Sequence, residues 1–284
     1  MGWTIILSLC FVLVCFDNSS AGDKKLTPEE VVSNHLKSIA SPEVLAGIKS
    51  RALSGSASMK FIVGAVGDLS GQCEFVSEKQ KLGIFCKYNA LEYPQEHFAF
   101  DGKDVTVSYI SPGRRSPLGD FLSRYEGIIK QGLMGGVLSV NWPLLDIEKA
   151  RPKMKYNKAK IEGRELHEIE YRPRKGMGDV KVRLYFDLDT FRHVKTEYKV
   201  SYNKQGAMKP ITEIHADSLD VDVYYVLSEE YGDFREVDGM MLPHSYSVHY
   251  SRQEGRSTYM VLWTIHAEQW SHNTPIAPEF FHIQ

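Results

Sequence analysis

The chain has 284 residues, of which 43% are hydrophobic, 25% charged and 11% aromatic, with a formal net charge of −2. This globular composition excludes disordered, collagen-like and polytopic membrane classes, and the near-neutral balance gives no nucleic-acid footprint.

The first segment reads as a leader. Trp3 to Phe16 is an uncharged apolar run, too short to span a bilayer comfortably, and Ser19 and Ala21 place small residues at −3 and −1 of a cleavage after Ala21. The n-region carries no Lys or Arg, so a short membrane anchor is the alternative. Cys15 follows Val-Leu-Val, which lacks the small residue that lipoprotein processing needs. Residues 1–21 are therefore expected to be a signal peptide. The expected mature protein is one exported, periplasmic domain, 22–284.

Removing the leader leaves Cys73 and Cys86, in two alternating segments around the polar Ser77–Lys81. A register centred between Lys79 and Gln80 puts the cysteines opposite each other, and an oxidising compartment lets them bridge. No C-x-x-C spacing exists, so the bridge is structural.

Helix signals are few. Thr27-Pro28-Glu29-Glu30 is a capping box with proline at the first helical position, and Ser41-Pro42-Glu43 starts a second short turn. After Ser116-Pro117, the residues Leu118, Phe121, Leu122, Tyr125, Ile128, Ile129 and Leu133 recur at helical spacing as a wide apolar stripe. Gly135-Gly136 ends it. Gly132, Gly135 and Gly136 could act as a hinge there.

Nearly everything else alternates with period two, in ten to twelve strands. Val180, Val182, Leu184 and Phe186 form one face, and Val194, Tyr198, Val200 and Tyr202 another. Asp101-Gly102, Glu162-Gly163, Asp238-Gly239 and Glu254-Gly255 mark turns, so the sheet is antiparallel and meandering. Two helical regions must cover one face of a large sheet, and a lined cavity or a filled core would serve equally.

Catalytic motifs are missing: there is no G-x-S-x-G, no H-E-x-x-H, no phosphate loop and no dinucleotide fingerprint. His167-Glu168 is followed by Tyr171 where a zinc motif needs histidine, and His244 and His249 fall on opposite faces of a strand. Asp220 and Asp222 share a face but lack further calcium ligands. No enzyme activity, metal or cofactor is expected.

A leader, an N-terminal helix, a long meander, a helical insertion and a return to strands together resemble the bacterial outer-membrane lipoprotein carrier superfamily (LolA/LolB-like). The phrases that carry the resemblance are Phe98-Ala-Phe-Asp-Gly-Lys-Asp-Val-Thr-Val107, Leu184-Tyr-Phe-Asp-Leu-Asp-Thr-Phe-Arg-His-Val194 and Tyr231-Gly-Asp-Phe-Arg-Glu-Val-Asp-Gly-Met-Met-Leu-Pro243. The resemblance implies an α+β, mostly β fold: an antiparallel half-barrel with a helical lid over a cavity for acyl chains. This chain would be a larger, divergent member, with extra strands after about residue 203. Where such carriers have an Arg-Pro step whose arginine engages the lid, it reads Cys86-Lys87-Tyr88-Asn89, leaving Lys87 as the lid contact. The expected function is an exported, monomeric carrier of an acyl chain, lipid or lipoprotein, working with an inner- or outer-membrane partner protein. The alternative is an envelope interaction module of the same fold with a filled core. The lid stripe and the sheet residues Val182, Leu184, Phe186, Tyr198 and Val200 are the candidate ligand contacts.

Overall fold

The computed structural model describes residues 26–65, 67–202 and 223–283. The leader, and Asp220 with Asp222, lie outside these residues.

Helix α1 (Pro28–Ile39) begins as the capping box requires: the Thr27 hydroxyl accepts from Glu30 N at 3.1 Å and Thr27 N donates to the Glu30 carboxylate at 2.8 Å. A short α2 (Pro42–Gly47) follows, capped by Ser41. Five strands come next: β1 (Ser50–Val63), β2 (Asp68–Glu78), β3 (Lys81–Tyr88), β4 (Gln95–Phe100) and β5 (Val105–Val107). A helical strap then holds α3 (Pro117–Arg124), α4 (Gly127–Lys130) and α5 (Ile147–Ala150), with 3-10 turns at Gly136–Leu138 and Pro143–Asp146. Seven more strands complete the sheet: β6 (Lys153–Ile161), β7 (Arg164–Arg172), β8 (Lys181–Asp187), β9 (His193–Tyr202), β10 (Val223–Val237), β11 (Met240–Glu254) and β12 (Ser257–His272).

Among the described residues, twelve strands form one antiparallel sheet in the order β5-β4-β3-β2-β1-β12-β11-β10-β9-β8-β7-β6, and it does not close into a barrel. The two outermost strands, β5 and β6, are consecutive in sequence. The strap therefore runs from one edge of the sheet to the other, across its inner face. Strands β2 and β3 pair with Glu78 opposite Lys81, the register that the polar turn implies, and Cys73 opposite Cys86 is joined by a disulfide.

Alternation sets the two faces. Cys73, Phe75, Ile84, Cys86, Tyr198, Leu227, Tyr246 and Trp263 point inward into one large core with the strap. A smaller cluster of Ile39, Val137, Met240 and Leu242 sits beneath α1 and α2. On the outer face, the C-terminal 3-10 turn (Pro278–Phe281) covers β3 and β4. Gly83 is required there, because a Cβ would fall 2.3 Å from the Phe280 carbonyl oxygen.

The single long helix implied by the apolar stripe is in fact two short ones. The chain leaves helical geometry at Tyr125, and Gly127 then packs against the β7–β8 loop, where a Cβ would lie 1.8 Å from Gly176 O. Tertiary packing overrides the helical period at that point.

Candidate functional site: the strap and the inner sheet face

The lid half of the strap is built from local signals. Ser116 caps α3 by accepting from Gly119 N at 2.8 Å, and Pro117 occupies the first helical position. Its stripe then faces the sheet. Leu118, Phe121, Leu122, Ile128, Ile129 and Leu133 are buried and Tyr125 is half-buried. Phe121 meets Tyr225 and Tyr250, each with ring centroids 5.7 Å apart. Six such side chains at about 1.5–3 kcal/mol each give roughly 9–18 kcal/mol as an upper bound. The lid is firmly seated.

The second half of the strap is held differently, through its backbone. Gly135 N donates to Glu229 Oε1 at 2.6 Å, the Tyr198 hydroxyl lies 3.0 Å from Leu133 O, and Val140 N donates to Ser77 Oγ at 3.0 Å. Arg51 Nη1 donates to Val137 O, and Nη2 lies 3.2 Å from Met240 Sδ. Gly135 (φ +82°) has to be glycine, because a Cβ would sit 2.2 Å from Phe75 Cζ. The glycine cluster at the end of the stripe is therefore clamped against the sheet.

Glu229 is the centre of this fastening. It is fully buried, with Tyr246 Oη 2.5 Å from Oε1 and Tyr198 Oη 2.7 Å from Oε2. Burial pushes its carboxyl above the usual carboxylate range, although the tyrosine and Gly135 hydrogen bonds pull the other way. A protonated Glu229 also resolves the proton count. The Tyr198 hydroxyl, also bonded by the Thr196 side chain, has one proton for Leu133 O and Glu229 Oε2, so both contacts are hydrogen bonds only if the acid donates one of them.

Other polar groups frame the strap. At the head of α3, Glu96 is buried, accepts from the Tyr93 hydroxyl and is also bonded by Ser116; burial pushes it up to about 7. Arg51 is 4% exposed, and desolvation lowers it to about 10, so it remains a cation at neutral pH. His35 Nδ1 donates to Phe191 O at 3.0 Å, and burial lowers His35 to about 4. His193 is lowered too, by burial and then by His35; Trp142 stacks on it with centroids 5.0 Å apart. The strap is thus bonded to polar groups at its head and along its second half, and the lid between them is seated mainly by apolar side chains.

No family model matches this sequence, and no curated protein does. Among solved structures, the chain is similar to a DUF1329 family protein from Desulfovibrio piger at 10% identity, covering 89% of this chain and 95% of that one with a TM-score of 0.40. It is similar at 10% identity to a LolA superfamily protein from Nitrosomonas europaea, covering 91% and 99% with a TM-score of 0.39. MucB of Pseudomonas aeruginosa, solved in complex with MucA, matches at 10% identity over 84% and 94%, with a TM-score of 0.22.

The sequence-derived site residues divide sharply. The lid stripe meets the inner face that carries Val182, Leu184, Phe186, Tyr198 and Val200, and all of these join one core. Leu184, Phe186 and Tyr198 are sealed, whereas Val182 and Val200 line concavities near the ends of their strands. Lys87 makes no contact with the lid. It is exposed between the inward-facing Cys86 and Tyr88, so its side chain lies on the outer face. The cation that engages the strap is Arg51, on the inner face of β1.

Three residues of the site escape a period reading. His193 points inward because a bulge between Tyr185 and Phe186 reverses the alternation at the start of β9. Arg51 and Glu229 occupy inward positions where charge is not expected. For Glu229 a signal did exist: Val223, Tyr225, Leu227 and Tyr231 hold the same phase on either side of it. Among the described residues, no three His, Cys, Asp or Glu side chains group as a metal site.

Proposed function

We propose that the chain is an exported, non-catalytic binding protein for an acyl chain, described here with its lid closed. The observation that carries this reading is the division of the strap: Glu96 and Ser116 hold its head, Glu229, Arg51 and Ser77 hold its second half, and apolar side chains seat the lid between. An amphipathic cover held at both ends can part from the sheet without losing its path. Energetics decide how. Burying a chain of about 16 carbons yields about 12 kcal/mol gross, which is comparable to the burial of the stripe. A ligand must therefore slide between lid and sheet, replacing their contacts with its own; full exposure of the stripe is out of reach.

The same packed interior favours a second reading, an interaction module whose core stays filled. Displacement of a fluorescent fatty-acid probe separates the two, together with native mass spectrometry of lipid co-purified before organic extraction. Phe121→Asp should weaken probe binding at least tenfold, while Arg124→Asp, on the exposed face of α3, should leave it unchanged, with circular dichroism showing both folded. If the wild type binds neither probe nor extracted lipid, the module reading replaces the carrier.

A further inference from the structure

Three side chains from different elements meet at the head of the lid. Glu96 lies on β4 and faces inward beside Cys86, its register partner on β3, and is 2% exposed. Its carboxyl touches the Tyr93 hydroxyl, from the β3–β4 loop, and the Ser116 hydroxyl, which caps α3. These two hydroxyls also bond each other, and Ser116 Oγ accepts from Gly119 N at 2.8 Å. The triangle ties the lid to the sheet.

Three contacts among three groups need three protons. Tyr93 and Ser116 carry one each, so a protonated Glu96 completes the set: Glu96 donates to Ser116, Ser116 to Tyr93 and Tyr93 to Glu96. A carboxylate leaves two protons for three contacts, and one contact fails.

No cation among the described residues compensates a charge there. Asp120 and Arg124 of α3 and Glu92 of the β3–β4 loop are exposed. Arg115, next to the cap, is engaged elsewhere, with Nε donating to Val107 O and the guanidinium over the Tyr109 ring. Lys87 and His97 stand on the outer face, and Phe61 of β1 and Val107 of β5 are apolar. What faces the acid is a set of phenols: Tyr88 of β3, Tyr93 and Tyr259 of β12, each raised first by burial and then by Glu96. Burial pushes Glu96 itself up to about 7. Behind the triangle, Phe61, Tyr259, Tyr250 and Phe121 of the lid follow ring to ring, with successive centroids 6.5, 6.4 and 5.7 Å apart.

We propose that Glu96 is a proton-operated latch: the neutral acid closes the triangle and keeps the head of α3 on the sheet, and loss of its proton frees that head and opens the aromatic path behind it. The latch regulates the lid, and so it rests on the carrier reading above. The sign follows from linkage. Closure is fully favoured below the ordinary value of 4.5, and that advantage is lost as pH rises through about 7. Between pH 6 and pH 8 the opening equilibrium should grow about tenfold.

Hydrogen–deuterium exchange of the full chain, with no ligand present, reads the latch as protection of the amides of residues 117–125, corrected for the intrinsic rate. Wild-type protection should fall about tenfold from pH 6 to pH 8. Glu96→Gln supplies a permanent donor and acceptor, so its protection should stay high at both pH values, with circular dichroism showing it folded. Glu229→Gln, in the second half of the strap, should keep the wild-type pH dependence in α3. Equal wild-type protection at the two pH values would overturn the latch whatever the variants do. So would a pH dependence that survives in Glu96→Gln or vanishes only in Glu229→Gln. Either failure leaves the carrier reading standing, because the fatty-acid probe tests that reading separately.

Discussion

Replacing Glu229 tests whether the buried fastening is neutral. If the acid is protonated, Glu229→Gln is close to isosteric: its carbonyl oxygen accepts from Gly135 N and Tyr246, and its amide donates to Tyr198, which keeps its own proton for Leu133 O. The expected cost at pH 5 is under about 1 kcal/mol. Glu229→Leu instead strands the buried Gly135 N–H and Tyr246 O–H, at about 1–3 kcal/mol each, so roughly 2–6 kcal/mol is lost. The pH dependence supplies a sign. A carboxyl raised by burial contributes stability below its unfolded pKa, and that contribution fades as pH rises through the folded value. The stability of Glu229→Gln relative to wild type should therefore improve between pH 5 and pH 8. Urea denaturation at both pH values measures it through the midpoint and slope. If Glu229→Gln is as damaging as Glu229→Leu, or loses ground as pH rises, the carboxyl is an anion and the proton count argued above is wrong.

Three further outcomes follow from the packing. Gly135→Ala should cost more than about 3 kcal/mol, from the clash with Phe75 and the positive φ together, whereas Gly113→Ala, at φ +73° with open space around it, should cost only about 1–2 kcal/mol; comparable losses would contradict the clamped strap. His35, lowered to about 4, favours folding above pH 6.5 and loses that contribution as pH falls toward 4. The stability difference between wild type and His35→Leu should thus shrink by up to about 1.4 kcal/mol per pH unit over that window, and a constant difference in urea titrations would refute it. Cys73 and Cys86 close a loop of sequence separation 13, for which chain entropy gives about 3 kcal/mol. Native protein denatured without reductant should label at neither cysteine, and the double alanine variant should melt several degrees lower.

What the sequence made legible follows from where physical signals are local. The Thr27–Glu30 box, the Ser77–Lys81 turn and the stripe from Leu118 to Leu133 are each written within a few residues, and each appears in the structure with its expected partners. The break at Tyr125 is not local: it depends on a loop some fifty residues away closing on Gly127. Arg51 shows the same limit. An arginine beside a serine at a strand start reads as surface, and only the strap crossing the sheet gives it Val137 O as a partner. Lys87 stands where the family resemblance implies a lid contact, and strand parity alone turns it outward.

The strand order has a consequence for how the chain reaches this state. The strands form two consecutive meanders, β1–β5 and β6–β12, whose first and last members, β1 and β12, pair at the middle of the sheet. Every other neighbouring pair is a hairpin or a close sequence neighbour, so each half can assemble from local contacts. The seam cannot. It joins Arg51 to His272 and Phe61 to Val261, contacts of very high sequence separation that carry the entropy of closing almost the whole chain. Until residues 257–272 are available, β1 presents a long unpaired edge in the middle of the future sheet, the kind of template on which strands of other molecules add. Chains truncated before Ser257 should therefore associate through β1, and the seam is where folding and aggregation compete.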